Sequence, residues 1–218
     1  MIALFAAPAL VTTALAAPTQ AAMESASWAS VTTASNDAAG KIEILKTTVD
    51  GIECYRGAAT TDVPPPKLLA VVADVEGATR WSSAGITEAK LLSKSGNEIA
   101  YYQYLDVPGW TMASDRFWFL KSTLSSSETS ASLVWSPLSA GGGFTDVYQK
   151  VKTDHPDAVE PTVNVGSWRF EGATPNVKVT YSICTQPGGS IPVAIQNAAT
   201  KRTLPDTVGD VIREARAR

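Results

Sequence analysis

The sequence predicts one α+β domain, in which helices cover one face of an antiparallel β-sheet. Segments that alternate apolar and polar residues, as half-buried strands do, recur between residues 41 and 184. A short stretch with helical spacing interrupts them at residues 64–81, and a longer helical stretch ends the chain. The 218 residues, 44% of them hydrophobic, are enough to bury one sizeable core.

The N-terminal segment, residues 1–22, predicts a signal peptide. Residues 2–17 are almost all apolar or small, and small residues make cleavage after Ala16 or Ala21 plausible. The run is too short for a comfortable transmembrane helix, although no Lys or Arg precedes it. We therefore expect an exported protein, either periplasmic or secreted.

Residues 23–40 predict a linker or a frayed helix, because they are rich in Ala, Ser, Thr and Asn. Trp28 is the exception, and we expect it to dock on the folded domain, residues 41–218. An Asp50–Gly51 turn joins the first two strands of this domain, because glycine tolerates a positive φ. The early strands are predicted at residues 41–46, 52–56 and 58–63.

Two short helices follow a proline run, and Gly77 separates them. A long meander comes next, with strands predicted at residues 91–92, 99–107, 117–120, 130–135, 163–170 and 177–184. Residues 141–156 predict an irregular region. The C-terminal helix is predicted to start near Ser190 and to kink or restart at Pro205.

Charge and motifs exclude several classes of function. The net charge is −3 with both signs interspersed, which argues against nucleic-acid binding. The one histidine, His155, lies in a polar stretch and is expected in an exposed loop. The sequence has no phosphate-binding or hydrolase motif and no Cys/His cluster, so we expect no cofactor, no metal and no catalytic residue.

Four segments in order resemble the START (steroidogenic acute regulatory protein-related lipid-transfer) domains of the helix-grip superfamily, here of a bacterial type. They are VPPPKLLAVVADVEGATRW, ASDRFWFL, GSWRFEG and VTYSICTQPGGSIPVAIQNAATKRTLP. The resemblance implies a curved antiparallel sheet wrapped around a long C-terminal helix, with two short helices after the early strands. It also implies an apolar cavity between sheet and helix, whereas helical periodicity alone favours a filled core.

This cavity implies a protein that binds and shields or transfers a hydrophobic ligand, which we expect to be a lipid, without catalysis. Arg116 is a candidate for ligand contact, or alternatively anchors a loop. The positions that match the buried acid and arginine of sterol carriers fall near Gln103 and Ser122, which are both neutral. The resemblance therefore does not identify the head group of the ligand. The candidate cavity residues are Tyr102, Tyr104, Arg116, Trp118, Trp135, Trp168, Tyr181, Ile191, Ile195 and Ala198.

Two alternatives remain open. One is an enzyme similar to the polyketide aromatase/cyclases, using Arg116, Tyr102 or Tyr104, and Asp115 to polarise a carbonyl. The other is an interaction module with a filled core. As partners we expect a small hydrophobic ligand or lipid, no nucleic acid and at most transient membrane contact, and we expect a monomer.

The two cysteines, Cys54 and Cys184, permit either a disulfide or two buried thiols. In a helix-grip sheet the first long strand pairs with the last one, which would bring them together. Alternation points Cys184 outward, whereas Cys54 shares a face with Ile52, which argues against a bridge. The residues leave the pairing open.

Overall fold

The computed structural model describes residues 18–111, 113–186, 188–189 and 193–218, apart from the side chains of residues 110 and 193–197. The helices are α1 (Gln20–Ser25), α2 (Pro65–Ala73), α3 (Ala78–Trp81), α4 (Thr145–Asp154) and α5 (Val193–Ala217). The strands are β1 (Ala29–Asn36), β2 (Gly40–Val49), β3 (Ile52–Thr61), β4 (Ile86–Ser95), β5 (Glu98–Leu105), β6 (Arg116–Ser126), β7 (Ser130–Pro137), β8 (Val163–Glu171) and β9 (Val177–Gln186).

The strands form one curved antiparallel sheet in the order β1-β2-β3-β9-β8-β7-β6-β5-β4. The sheet is open, because β1 and β4 each have a neighbour on one side only. The β3–β9 pairing joins the early strands to the last one, so the predicted α+β class and helix-grip architecture are confirmed. We call the face that packs against α2 and α5 the inner face, and the opposite face the outer face.

The main core lies between one half of the inner face and the two helices α2 and α5. On the sheet, every second residue of a strand points into this core. On the helices, apolar residues three or four positions apart point into it. A Cβ on Gly57 would overlap the Leu204 side chain, so the glycine lets α5 approach β3 closely. Fully buried members of this core include Ile42, Leu68, Val71, Phe170, Val177, Val179, Val208, Val211 and Ile212.

The C-terminal half of α5 is fixed by polar contacts as well as by packing. The carboxylate of Asp210, 1% exposed, accepts hydrogen bonds from the Ser83 amide and hydroxyl, both at 2.6 Å. Arg213 donates to the other Asp210 oxygen at 2.5 Å. Arg216 reaches Asp62 at 2.8 Å, and Arg218 reaches Asp74 at 2.6 Å. These bonds tie α5 to the segments around α2, α3 and β3.

Of the two outcomes predicted at Pro205, a kink or a restart of the C-terminal helix, the restart does not occur. Helix α5 runs through this proline from residue 193 to residue 217. Proline removes one backbone donor, but Leu204 and Val208, on either side of it, are buried in the same core. Tertiary packing on both sides therefore outweighs one lost hydrogen bond.

Residues 23–40, predicted as a linker or frayed helix, instead contain the end of α1 and the whole of β1. The Thr19 hydroxyl accepts a hydrogen bond from the Ala22 amide at 3.1 Å and so caps α1. Strand β1 pairs with β2 along its length, which suits its β-branched residues. Trp28 is partly buried against the outer face, with the Arg56 guanidinium 4.0 Å from its ring centroid.

Two further sequence predictions differ from the structure. The strands predicted at residues 52–56 and 58–63 are one strand, β3, because Gly57 continues the extended backbone. Residues 141–156, predicted as irregular, contain α4. This helix buries Val151 and packs Val147 and Tyr148 against the outer face, while its polar residues face solvent. Most residues of α4 are polar, so its few apolar positions did not give a recognisable helical pattern in the sequence.

Candidate functional site

Three aromatic residues stand together on the inner face near the start of α5. The ring centroids of Trp168 and Tyr181 are 4.5 Å apart, and those of Trp135 and Tyr181 are 5.9 Å apart. A Cβ on Gly166 would overlap the Trp135 ring and lie 2.5 Å from the Ser182 carbonyl oxygen. Glycine at this position therefore lets the indole lie across β8.

Hydroxyl groups meet beside these rings. The Ser122 hydroxyl donates to the Tyr101 phenol oxygen at 3.2 Å, and burial raises the pKa of Tyr101 to about 12. Burial is also the main cause that raises the pKa of Tyr181, and the charge of a nearby Tyr101 phenolate adds to it. Tyr101 lies on β5 and Tyr181 on β9, with three strands between them, so the curved sheet brings the phenols towards each other.

Two side-chain amides complete the polar groups of this region. The Trp118 indole donates to Gln103 Oε1 at 3.1 Å, and the Trp135 indole donates to Asn164 Oδ1 at 2.9 Å. Gln103 and Ser122, the neutral pair picked out in the sequence, both lie on the inner face. Asn164 was missed by the sequence analysis, because one asparagine in an apolar strand carries no motif.

The inner face is unevenly filled. Val177, Val179 and Leu204, in the half that packs against the end of α5, are at most 2% exposed. In the other half, several inner-face side chains are only partly buried, and they lie beside buried ones such as Leu120, Trp135 and Asn164. We call this second part the open half; its partly buried residues are Gln103, Trp118, Tyr181 and Ile183.

Arg116 lies at the edge of the open half and is 4% exposed. Its guanidinium donates to the Gly188 carbonyl at 3.0 Å, and also to the carbonyls of Ser114 and Asp115. Burial lowers the pKa of Arg116, while the charge of Asp115 opposes this shift. The contact with Gly188 ties the start of β6 to the loop between β9 and α5.

Tyr102 and Tyr104 lie on the outer face, beneath α4 and away from α5. The Tyr104 phenol donates to Asp115 Oδ2 at 2.5 Å, and the Tyr102 phenol donates to Glu88 Oε2 at 3.0 Å. Burial and these carboxylates raise the pKa of both phenols. His155 stacks on Tyr104 with ring centroids 4.0 Å apart. This group cannot line a space between the sheet and α5.

The remaining candidate cavity residues, Ile191, Ile195 and Ala198, lie in α5 or just before it in the sequence. Ile191 lies outside the described residues, and Ile195 lies in α5 with a side chain that is not described. Ala198 is exposed on α5. Within the described part of the chain, no helix is long and apolar enough to cross a membrane, and no group of three or more potential ligands could hold a metal.

A disulfide joins Cys54 and Cys184, which face each other directly in the β3–β9 ladder with Cα atoms 4.2 Å apart. Cys184 points outward, as alternation predicted. The argument against a bridge fails because Ile52 also points outward, into a second apolar cluster. Met23 of α1 closes this cluster and is 1% exposed.

No protein-family model matches the sequence, and no curated protein matches it either. The structure resembles that of a STAR-related lipid transfer protein from Xanthomonas axonopodis, with a TM-score of 0.68 and 18% identity, over 87% of this chain and 98% of that one. It also resembles human STARD10, with a TM-score of 0.69 and 14% identity, over 86% and 72% of the two chains.

A more distant likeness is to the Zhui aromatase/cyclase from Streptomyces, with a TM-score of 0.52 and 14% identity, over 76% of this chain and 94% of that one. At these identities the comparisons establish the architecture of the chain. The chain therefore has the fold of the START lipid-transfer domains.

Proposed function

We propose that this protein binds one lipid between the open half of the inner face and the first half of α5, and shields or transfers it without catalysis. The observation that carries the proposal is the contrast between the filled and the open halves of one inner face. Tyr181 combines two properties. Burial raises the pKa of its phenol, and yet its side chain keeps some accessible surface. Both are expected of a ring that borders an internal space.

The energetics allow reversible binding. Burying roughly 500 Å² of apolar ligand surface gains on the order of 12 kcal/mol. Lost freedom and ordering cost about 4–15 kcal/mol. The aromatic lining can therefore hold a lipid without a charged contact, and a lipid can also leave again.

Native mass spectrometry after mild purification tests the proposal. The wild type should carry a lipid or take one up from a lipid extract. Ile183→Phe, on the inner face, should reduce uptake, because the larger side chain takes up part of the space. The matched control Val134→Phe lies on the outer face and should bind as the wild type does. A clean ligand-free mass with no uptake by the wild type would contradict the proposal and favour a filled-core interaction module.

An enzyme is the second candidate, because aromatase/cyclases share the fold. Of the catalytic set suggested by the sequence, Tyr104 and Asp115 are hydrogen-bonded to each other, but they and Tyr102 face away from α5. Tyr181 and Tyr101 are the hydroxyl groups that could polarise a carbonyl on the inner face. Turnover of a polyketide-type substrate that is lost in Tyr181→Phe, at an unchanged melting temperature, would favour this candidate over a carrier.

We further propose that the protein is exported to the periplasm or the medium. The apolar N-terminal run and the disulfide support export. Cleavage after Ala16 is favoured over Ala21, because cleavage after Ala21 would remove Thr19, which caps α1, and divide the helix. N-terminal sequencing of the exported protein should give Ala17 as the first residue, whereas a start at Ala22 would overturn this choice.

We also propose a monomer that meets a membrane only transiently. A lipid of low solubility has to be collected from a membrane or another carrier, and a single chain supplies the whole inner face. Light scattering should give the mass of one chain. Sedimentation with vesicles should leave most of the protein unbound.

A further inference from the structure

We propose that the ligand is an uncharged lipid whose polar group accepts hydrogen bonds, such as an ester or a ketone. This inference rests on the proposed function, and it names the class of ligand for the same site. It follows from the direction in which tryptophan holds two side-chain amides, the buried Asn164 and the partly buried Gln103.

The Trp135–Asn164 pair fixes the first amide. An indole N–H can only donate, so the oxygen of Asn164 has to face Trp135, as the 2.9 Å bond shows. The amide nitrogen then points away with two N–H groups. Asn164 is 6% exposed, and among the described residues nothing accepts a hydrogen bond from this nitrogen. This nitrogen is not fully enclosed, so it can donate to a ligand or a water in the open half.

The Trp118–Gln103 pair repeats the arrangement on the same inner face, on the neighbouring strands β5 and β6. The Trp118 indole holds Gln103 Oε1 at 3.1 Å, which again leaves the amide nitrogen free to donate. The Tyr181 phenol adds an O–H that has no partner within the described part of the chain. Three groups on the open half therefore offer donors, while both amide oxygens are already used.

Cations at this end of the inner face are engaged elsewhere. Arg116 donates to backbone carbonyls, including that of Gly188 at 3.0 Å. Lys46, opposite the inward-facing Tyr55, pairs with Glu53 at 3.1 Å. A carboxylate or phosphate carried into the open half would lose its hydration and would meet only Arg116, whose N–H groups already donate to carbonyls and whose charge interacts with Asp115. Such a desolvation is costly. A carbonyl accepts from the free N–H groups at a much smaller desolvation cost.

Binding of four probes tests the inference: the methyl ester of a long-chain fatty acid, the matching free acid at pH 8, the matching alcohol, and a phosphatidylcholine. The ester should bind about tenfold more tightly than the alcohol, and about a hundredfold more tightly than the acid or the phospholipid. Equal or tighter binding of the acid or the phospholipid would overturn the inference while leaving the carrier function intact. Failure of all four probes, and of a total lipid extract, would contradict the carrier function itself.

Two acidic variants test the donors directly. Asn164→Asp keeps an acceptor for Trp135 but replaces the donating amide NH2 group with an oxygen, so ester affinity should fall at least about tenfold. Gln103→Glu makes the same change at the second amide and decides the matter if the first variant does not fold. Asn176→Asp, in the exposed turn between β8 and β9, is the matched control and should bind as the wild type does. Unchanged ester affinity in a folded Asn164→Asp or Gln103→Glu protein would overturn the inference.

Discussion

Single residues decide how the inner face is shaped, and Gly166 is the clearest case. The Trp135 ring occupies the place where a side chain at this position would stand. The ring has to stay there, because its N–H is satisfied by Asn164 on the neighbouring strand. One glycine thus sets the position of an aromatic wall and the direction of the amide beside it.

Gly166→Ala should lower the free energy of unfolding by about 1–3 kcal/mol, because the added Cβ meets both a packed ring and a backbone oxygen. Urea unfolding measures this change. Gly109→Ala is the matched control, because a Cβ there has nothing within 4 Å. Equal stability of the two variants would show that Trp135 can move aside freely.

Asp115 should make stability depend on pH. The hydrogen bond from Tyr104 is the main cause that lowers the pKa of Asp115, and the Val107 amide adds to it. A carboxyl whose pKa is lowered on folding stabilises the fold above its ordinary pKa, and this contribution is lost as the pH falls through the lowered value. The effect should be modest, because the site is near solvent.

Asp115→Asn should therefore destabilise the protein at pH 7 and reduce the loss of stability between pH 5 and acid conditions. Unfolding by urea across this range measures both effects. Asp146→Asn, on the exposed side of α4, serves as the control and should follow the wild-type curve. If the stability of Asp115→Asn fell with decreasing pH as steeply as that of the wild type, the Tyr104 contact would not depend on the charge of Asp115.

At the scale of elements, α5 consists of two differently fixed halves. Residues 204–217 bury Leu204, Val208 and Ile212 and carry the polar contacts to α3 and β3. Before the helix, Gly188 and Gly189 both have positive φ, a conformation that glycine adopts without strain. The first half therefore lies next to a glycine hinge, while the second half is anchored.

Lipid binding should change hydrogen exchange in the first half of α5 and in the loops that border it. We expect slower exchange for residues 193–203, and for residues 107–111 and 141–161, when a lipid extract is added. Residues 204–217 should be equally protected in both states, and they serve as the internal control. Identical protection of the first half and the loops in both states would contradict a gate formed by these segments.

At the scale of the whole molecule, the disulfide joins the third strand of the sheet to the last one. Cys54 and Cys184 are 130 residues apart in sequence, so the bridge closes a long loop that contains β4 to β8 but leaves β1, β2 and α5 outside it. Such a loop restricts the unfolded chain strongly. Both cysteines are fully buried beneath α1, which separates the bond from solvent.

Replacing both cysteines by alanine should lower the free energy of unfolding by about 2–5 kcal/mol, chiefly because the unfolded chain gains freedom. Denaturant unfolding of the double variant measures this change. Reduced wild-type protein is the control, and its free energy of unfolding should be similar to that of the double variant. A double variant as stable as the oxidised wild type would mean that the bridge adds nothing to stability.

The sequence by itself determined the α+β class, the positions of most strands and the existence of a long last helix. Apolar alternation and helical spacing are local properties, and they survive in the folded chain. Pairing of β3 with β9 followed from the resemblance to START domains. The neutral character of Gln103 and Ser122 could also be read directly from the chain.

Only the tertiary structure decided which aromatic residues face α5. Tyr101, Tyr102 and Tyr104 are all buried, because α4 covers the outer face while the core covers the inner one. A strand buried on both sides keeps its period of two but loses the polar signal that tells one face from the other. The face of each tyrosine, and the direction of the Asn164 amide, are therefore set by contacts with residues that are distant in sequence.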